Sequence, residues 1–150
     1  HLFDIKQDIA MQHELILFAI SRICDRAKSH IAAELRGHGM GELGVSHTEI
    51  IGVLTRRERV QLKDLVDLIG KDKSTITALT KKLLRMGLVR KTAEPDDSRV
   101  SYLSLTAKGK ELEAPIMVIS RRLREKAYRG LSESERKRLL RLLLKIQGNF

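Results

Sequence analysis

One cysteine, Cys24, stands in the whole chain, which excludes an intramolecular disulfide framework and any multi-cysteine zinc cluster. Tryptophan is absent and aromatics make up only 3% of residues, so a core must be built from Leu, Ile, Val and Ala. With little turn composition besides, this points to mostly helical structure. No apolar run approaches the ~18 residues of a membrane span. There is no Gly-rich phosphate loop, paired Cys/His site or nucleophile in a strand–turn–helix setting, so nothing marks the chain as an enzyme and no cofactor is implied. His13, His30, His38 and His47 show no clustered metal-ligand spacing. No signal peptide is visible at this N-terminus, although His1 leaves an upstream segment open, and a cytoplasmic location is the expectation.

Positive charge is what the chain has in excess: 29 Lys and Arg stand against 19 Asp and Glu, a formal net charge of +10. Such an excess implies a polyanionic partner, either nucleic acid or an anionic membrane surface. Nucleic acid is favoured because the apolar faces are committed to an interior. The balance of 42% hydrophobic and 32% charged residues suits a folded chain, and 150 residues make one domain or two closely joined lobes.

Helical periodicity begins at once. From Leu2 to about Arg36, Ile16, Ile20, Ile23, Ala27 and Ile31 form an apolar stripe, widened by Leu15, Ala19 and Cys24. Cys24 is thereby expected in the core. Gly37, Gly39, Gly41 and Gly44 break this helix into a loop. Ser46-His47-Thr48-Glu49 has the form of a capping box opening a second helix to about Arg57, with His47 exposed in its first turn. A third helix spans Gln61 to Ile69 and ends at Gly70. Asp72 caps a fourth, whose buried set is Ile76, Leu79, Thr80, Leu83 and Leu84, and Gly87 closes it. Leu88 to Thr92 and Arg99 to Leu105 read as two strands around Pro95-Asp96-Asp97-Ser98. Thr106 caps a fifth helix carrying Leu112, Ile116, Ile119 and Leu123, kinked near Glu111 to Pro115 by the proline inside it. A capping box at Ser132-Glu133-Ser134-Glu135 opens the last helix, whose Leu139, Leu140, Leu142, Leu143, Leu144 and Ile146 cover more than one face. A helix apolar on two sides has two things to pack against.

The stretch from Gln61 to Leu105 therefore has the layout of a winged helix-turn-helix, and its natural partner is duplex DNA. A major groove admits one α-helix. The outward face of the fourth helix carries Lys73, Ser74, Thr75, Thr77, Lys81, Lys82 and Arg85, and its N-terminus favours phosphate. Arg99 follows the wing turn, where an arginine can enter the narrow minor groove, and Asp97 can fix its guanidinium.

At these residues the chain resembles the MarR family of bacterial transcription regulators. The resemblance is carried by Leu62-Lys63-Asp64-Leu65, Asp72 to Thr77, Leu83-Leu84-Arg85-Met86-Gly87-Leu88-Val89-Arg90, Pro95-Asp96-Asp97-Ser98-Arg99, Leu105-Thr106-Ala107-Lys108-Gly109 and Leu131 to Glu135. It implies a mainly α fold with a small β-wing. A winged helix-turn-helix DNA-binding lobe would span 45–105, and a helical dimerisation lobe would be built from 1–36 and 106–150. It further implies a homodimer whose first, fifth and sixth helices intertwine with the partner's. The fourth helix, over Lys73 to Lys82, would lie in the major groove, and the wing tip, Asp97, Ser98 and Arg99, at the minor groove. The family implies a cytoplasmic repressor that is nucleoid-associated when bound to a pseudo-palindromic operator. It would be released by a small aromatic or anionic effector between the lobes, whose contact residues the sequence leaves unknown. Two other readings stay open: a protein-interaction winged helix, and a redox-sensing regulator using Cys24, although the peroxide-sensing branch places its cysteine about two turns earlier. Pro115 departs from the family's unbroken helix.

Overall fold

The computed structural model describes the backbone of residues 2–150 and the side chains of residues 15–97 and 99–150. Helix α1 (Leu2–Gly37) leads through a glycine loop to α2 (Val45–Arg56), the short strand β1 (Val60–Gln61), α3 (Leu62–Ile69) and α4 (Lys73–Arg85). Strands β2 (Val89–Glu94) and β3 (Asp97–Leu105) follow, then α5 (Ala107–Lys110), α6 (Glu113–Ala127) and α7 (Glu133–Gln147). The sheet is antiparallel in the order β1-β3-β2. The mainly helical fold with a small β-wing is thus the observed one.

Leu35, Ile50, Ile51, Leu65, Ile76, Leu83 and Leu103 are fully buried and come from α1, α2, α3, α4 and β3, so one aliphatic core holds the helix-turn-helix against the sheet. Leu35 and Ile119 connect that core to α1 and α6. The strand β1 has no sequence counterpart among the expectations: two residues carry no periodicity. Val60 and Gln61 become a strand only because they pair with Leu103 and Tyr102, some forty positions later.

Four expectations change. Helix α2 begins at Val45, with Gly44 rather than Ser46 at its cap. His47 takes the part that Glu plays in an ordinary capping box: its Nδ1 accepts the Gly44 N–H at 3.0 Å, and it is buried, not exposed. The expected fifth helix is two helices. After α5 the chain turns at Glu111-Leu112 and restarts, so Pro115 lies in the first turn of α6, where N–H groups have no intrahelical partner and a proline forfeits no bond. Cys24 is exposed rather than in the core. The same holds for much of the stripe around it: Ile16 is 49% and Ile23 64% exposed.

Helix α7 opens with the expected capping box, Ser132 N donating to Glu135 Oε2 at 2.7 Å and Glu135 N to Ser132 Oγ at 3.2 Å. None of its residues is buried, and Leu140 and Leu144 are more than half exposed.

Candidate nucleic-acid interface

The turn between α3 and α4 is made by Gly70, whose φ of 69° is the left-handed conformation that favours glycine, and whose N–H closes α3 onto Val66 O. Asp72 then starts α4. Its carboxylate accepts from Thr75 N at 2.8 Å, from Thr75 Oγ1 at 2.7 Å and from Ser74 Oγ. These bonds, the Ser74 and Thr75 hydroxyls first, hold the Asp72 carboxyl well below the usual carboxylate range, so it is ionised at any physiological pH. The N-terminus of α4 is therefore already matched by an anion of its own chain. A phosphate approaching this helix end would meet the Asp72 carboxylate.

The cap also fixes what the helix offers outward. Ser74 and Thr75 spend their hydroxyl protons on Asp72, and Thr77 Oγ1 donates to Lys73 O at 2.8 Å. With those protons engaged, the Ser74 and Thr77 oxygens in the groove keep only acceptor capacity, suited to base amino groups rather than phosphate oxygens. Lys73, Ser74, Thr77, Ala78 and Lys81 line one shallow, open groove along the helix. Thr75 is half-buried beside it. Lys82 is not part of this face. Its ammonium donates to the backbone carbonyl of Glu42, tying α4 to the loop between α1 and α2.

The wing brings Asp97 and Arg99 together. Asp97 Oδ1 accepts from Arg99 N at 3.0 Å and from Arg99 Nε at 3.2 Å. Across the hairpin Ala93 faces Ser101 and Glu94 faces Asp97, so Ser98, Arg99 and Val100 have no counterpart on β2. This bulge throws Arg99 outward, leaving its side chain 90% exposed while Asp97 still orients it. The side chain of Ser98 lies outside the described residues, as does that of His13.

Sequence reasoning missed how the wing is braced. Arg59 lies over the Tyr102 ring at 4.2 Å, the Tyr102 hydroxyl accepts from Gln61 Nε2 at 3.1 Å, and Arg90 Nε donates to Ser104 Oγ at 3.1 Å. The cross-strand register would have been the only signal, and it is not local.

A cleft of about 720 Å³ opens between α1, α2, α3 and α6. Ile31, Val53, Leu68 and Ile116 supply apolar wall, and Arg56, Arg124, Glu49 and Glu113 supply charge. A smaller chamber of about 40 Å³ lies beside it, between Ile31, Leu35, Thr48, Ile116 and Ile119. Among the described residues no helix is long and apolar enough to cross a membrane.

Residues 43–109 match the profile of the winged helix DNA-binding domain. The HTH-type transcriptional regulator SarZ of Staphylococcus saprophyticus is 38% identical over 66 residues, 44% of this chain and 45% of SarZ, so the chain spans about half the length of that relative. Among solved structures, the transcriptional regulator SlyA superposes with a TM-score of 0.79 at 21% identity, covering 89% of this chain and 92% of SlyA. Bordetella bronchiseptica BpsR, whose DNA binding is regulated by 6-hydroxynicotinic acid, superposes with a TM-score of 0.77 at 19% identity, covering 89% and 98%. With the helix-turn-helix and the bulged wing in place, residues 43–109 are a winged helix DNA-binding domain, and the chain shares the fold of these solved regulators.

Proposed function

We propose that this chain is a homodimeric transcription regulator, a repressor that grips a pseudo-palindromic operator and releases it when a small aromatic or anionic effector binds. The observation that carries the reading is the wing: a bulge presents Arg99 almost fully to solvent while Asp97 holds its orientation. Such a pre-oriented cation suits the negative potential of a narrow minor groove. Helix α4 supplies the companion surface, with Lys73 and Lys81 for phosphates and Ser74 and Thr77 for base edges. Thr75, half-buried and bonded to Asp72, sets the helix start, and Lys82 positions α4 from behind. Ser98 belongs to the same wing tip.

Dimerisation is supported by what the single chain leaves uncovered. Leu15, Ile16, Phe18 and Ile23 of α1, and Leu139, Leu140, Leu142 and Leu144 of α7, are all exposed. A second copy would cover them, making 1–36 and 106–150 the dimerisation lobe and 45–105 the DNA lobe. The cleft between α1, α2, α3 and α6 is the natural effector site: apolar walls suit an aromatic ring, and Arg56 and Arg124 suit a carboxylate. Binding to a duplex should weaken steeply with salt, with a log–log slope of roughly −0.9 per phosphate neutralised. A slope near zero would refute the reading and favour a docked protein instead.

A further inference from the structure

The C-terminal end of α4 is held in an unusual way. Met86 caps it and Gly87 turns with φ 69°, its N–H bonding Leu84 O at 3.0 Å while Leu88 N bonds Leu83 O at 3.0 Å. The next three carbonyls, those of Met86, Gly87 and Leu88, all point at one short segment at the head of α5. Lys108 Nζ donates to Met86 O at 2.9 Å, Thr106 Oγ1 to Gly87 O at 2.6 Å and Thr106 N to Leu88 O at 3.1 Å. The Thr106 oxygen in turn accepts Gly109 N at 3.1 Å, so one hydroxyl both caps α5 and grips the end of α4. Gly109 permits the approach: a Cβ there would sit 2.0 Å from Leu88 O.

We infer that Thr106, with Lys108 and Gly109, is a clasp that fixes the angle between the recognition helix α4 and the arm α5–α6, and thereby the separation of the two recognition helices in the dimer. The inference rests on the DNA-binding reading for its consequence, but not for its geometry. The wing enters α4 through the same residues, since Val89 pairs with Leu105 directly beside Thr106. Helix α6, which lines the cleft through Glu113, Ile116 and Met117, begins just after α5. Movement of α6 therefore reaches α4 as a rotation about this joint rather than being absorbed in a slack loop. Thr106, Lys108 and Gly109 are positioning residues, none of them in the surface assigned to DNA.

The test uses Thr106→Val, which keeps shape but loses the hydroxyl, and Thr106→Ser, which keeps the hydroxyl. The first readout needs no DNA: the distance distribution between spin labels at Arg85→Cys in α4 and Lys126→Cys in α6, in a Cys24→Ser chain diluted with unlabelled protein. A narrow distribution is expected for the parent and for Thr106→Ser, and a distribution at least about twice as broad for Thr106→Val. An equally narrow distribution in Thr106→Val overturns the clasp, whether or not the protein binds DNA. The second readout is discrimination between operators whose half-sites are one base pair closer or farther apart. The parent and Thr106→Ser should lose at least tenfold in affinity on the altered spacings, and Thr106→Val less than threefold. Equal discrimination in all three proteins, with the broad distance distribution present, would overturn the consequence drawn for DNA while leaving the joint itself intact. If Thr106→Val does not fold, Lys108→Met, which removes only the bond to Met86 O, takes its place with the same expectations.

Discussion

Lys81 and Lys82 are neighbours on α4, identical in chemistry, but their ammonium groups go to different places. Lys81 is exposed in the groove of α4, and Lys82 is turned back onto the Glu42 carbonyl. In a dimer Lys73, Lys81 and Arg99 each occur twice, so six phosphates neutralised would give a salt slope of about −5.4. Lys81→Met removes two of them, which makes the slope shallower by about 1.8 and weakens binding about 60-fold at about 0.1 M salt. Lys82→Met removes no phosphate contact, so its slope should stay within about 0.3 of the parent. Its cost should appear in stability instead, as a loss of roughly 1 kcal/mol from the freed Glu42 carbonyl, read as a lower urea midpoint. The assay is anisotropy of a labelled duplex titrated from about 50 to about 300 mM salt. Equal slope changes for the two variants, or the larger change for Lys82→Met, would refute the assignment of faces.

Arg99→Ala should weaken operator binding and flatten the salt slope by about 1.8 per dimer, and Asp97→Asn should weaken operator binding without flattening it, since the cation remains but loses its orientation. If the slope is unaltered in Arg99→Ala, the wing does not touch DNA. Burial, and secondarily the Lys82 charge, lower the His47 pKa from the ordinary 6.5. His47 is also the acceptor for Gly44 N–H, which a protonated Nδ1 cannot be. The unfolded chain then binds the proton more readily, so stability is complete above about pH 6.5 and falls as pH drops through the lower folded value. Urea midpoints between about pH 7.5 and about pH 5.5 should fall in the parent and fall less in His47→Gln, which retains an acceptor. Matching declines would place the titration elsewhere. Leu140→Glu with Leu144→Glu should give a folded monomer by sedimentation, because neither residue is buried in its own chain, and should weaken operator binding by at least about 100-fold. A surviving dimer would mean that α7 is not at the interface.

What the sequence disclosed and what it concealed divide along one physical line, the range of the interaction. Asp72, Gly70, Gly87 and the Ser132–Glu135 box act within a turn of themselves, and each was legible from spacing. Asp97 and Arg99 are two residues apart, so their pairing was legible as well. The retreat of Lys82 to Glu42 spans forty positions and cannot be read from a helical face. Likewise β1 exists only through β3. His47 was misjudged for a different reason: in Gly44-x-x-His47 the imidazole plays the Glu half of a capping box, with no side chain at the cap to mark it, and the nearer Ser46–Glu49 pattern concealed it. Cys24 was misjudged because an apolar stripe does not say whether its own chain covers it, and Cys24 and much of its stripe are exposed.

The central claim, that two copies present α4 and Arg99 to one duplex, is tested most directly by selecting bound sequences from a random duplex library and footprinting the winner. The expected result is a two-fold symmetric site with half-site centres about one helical turn apart, protected in successive major grooves and in the flanking minor grooves. An asymmetric single half-site, or no enrichment at all, would contradict it.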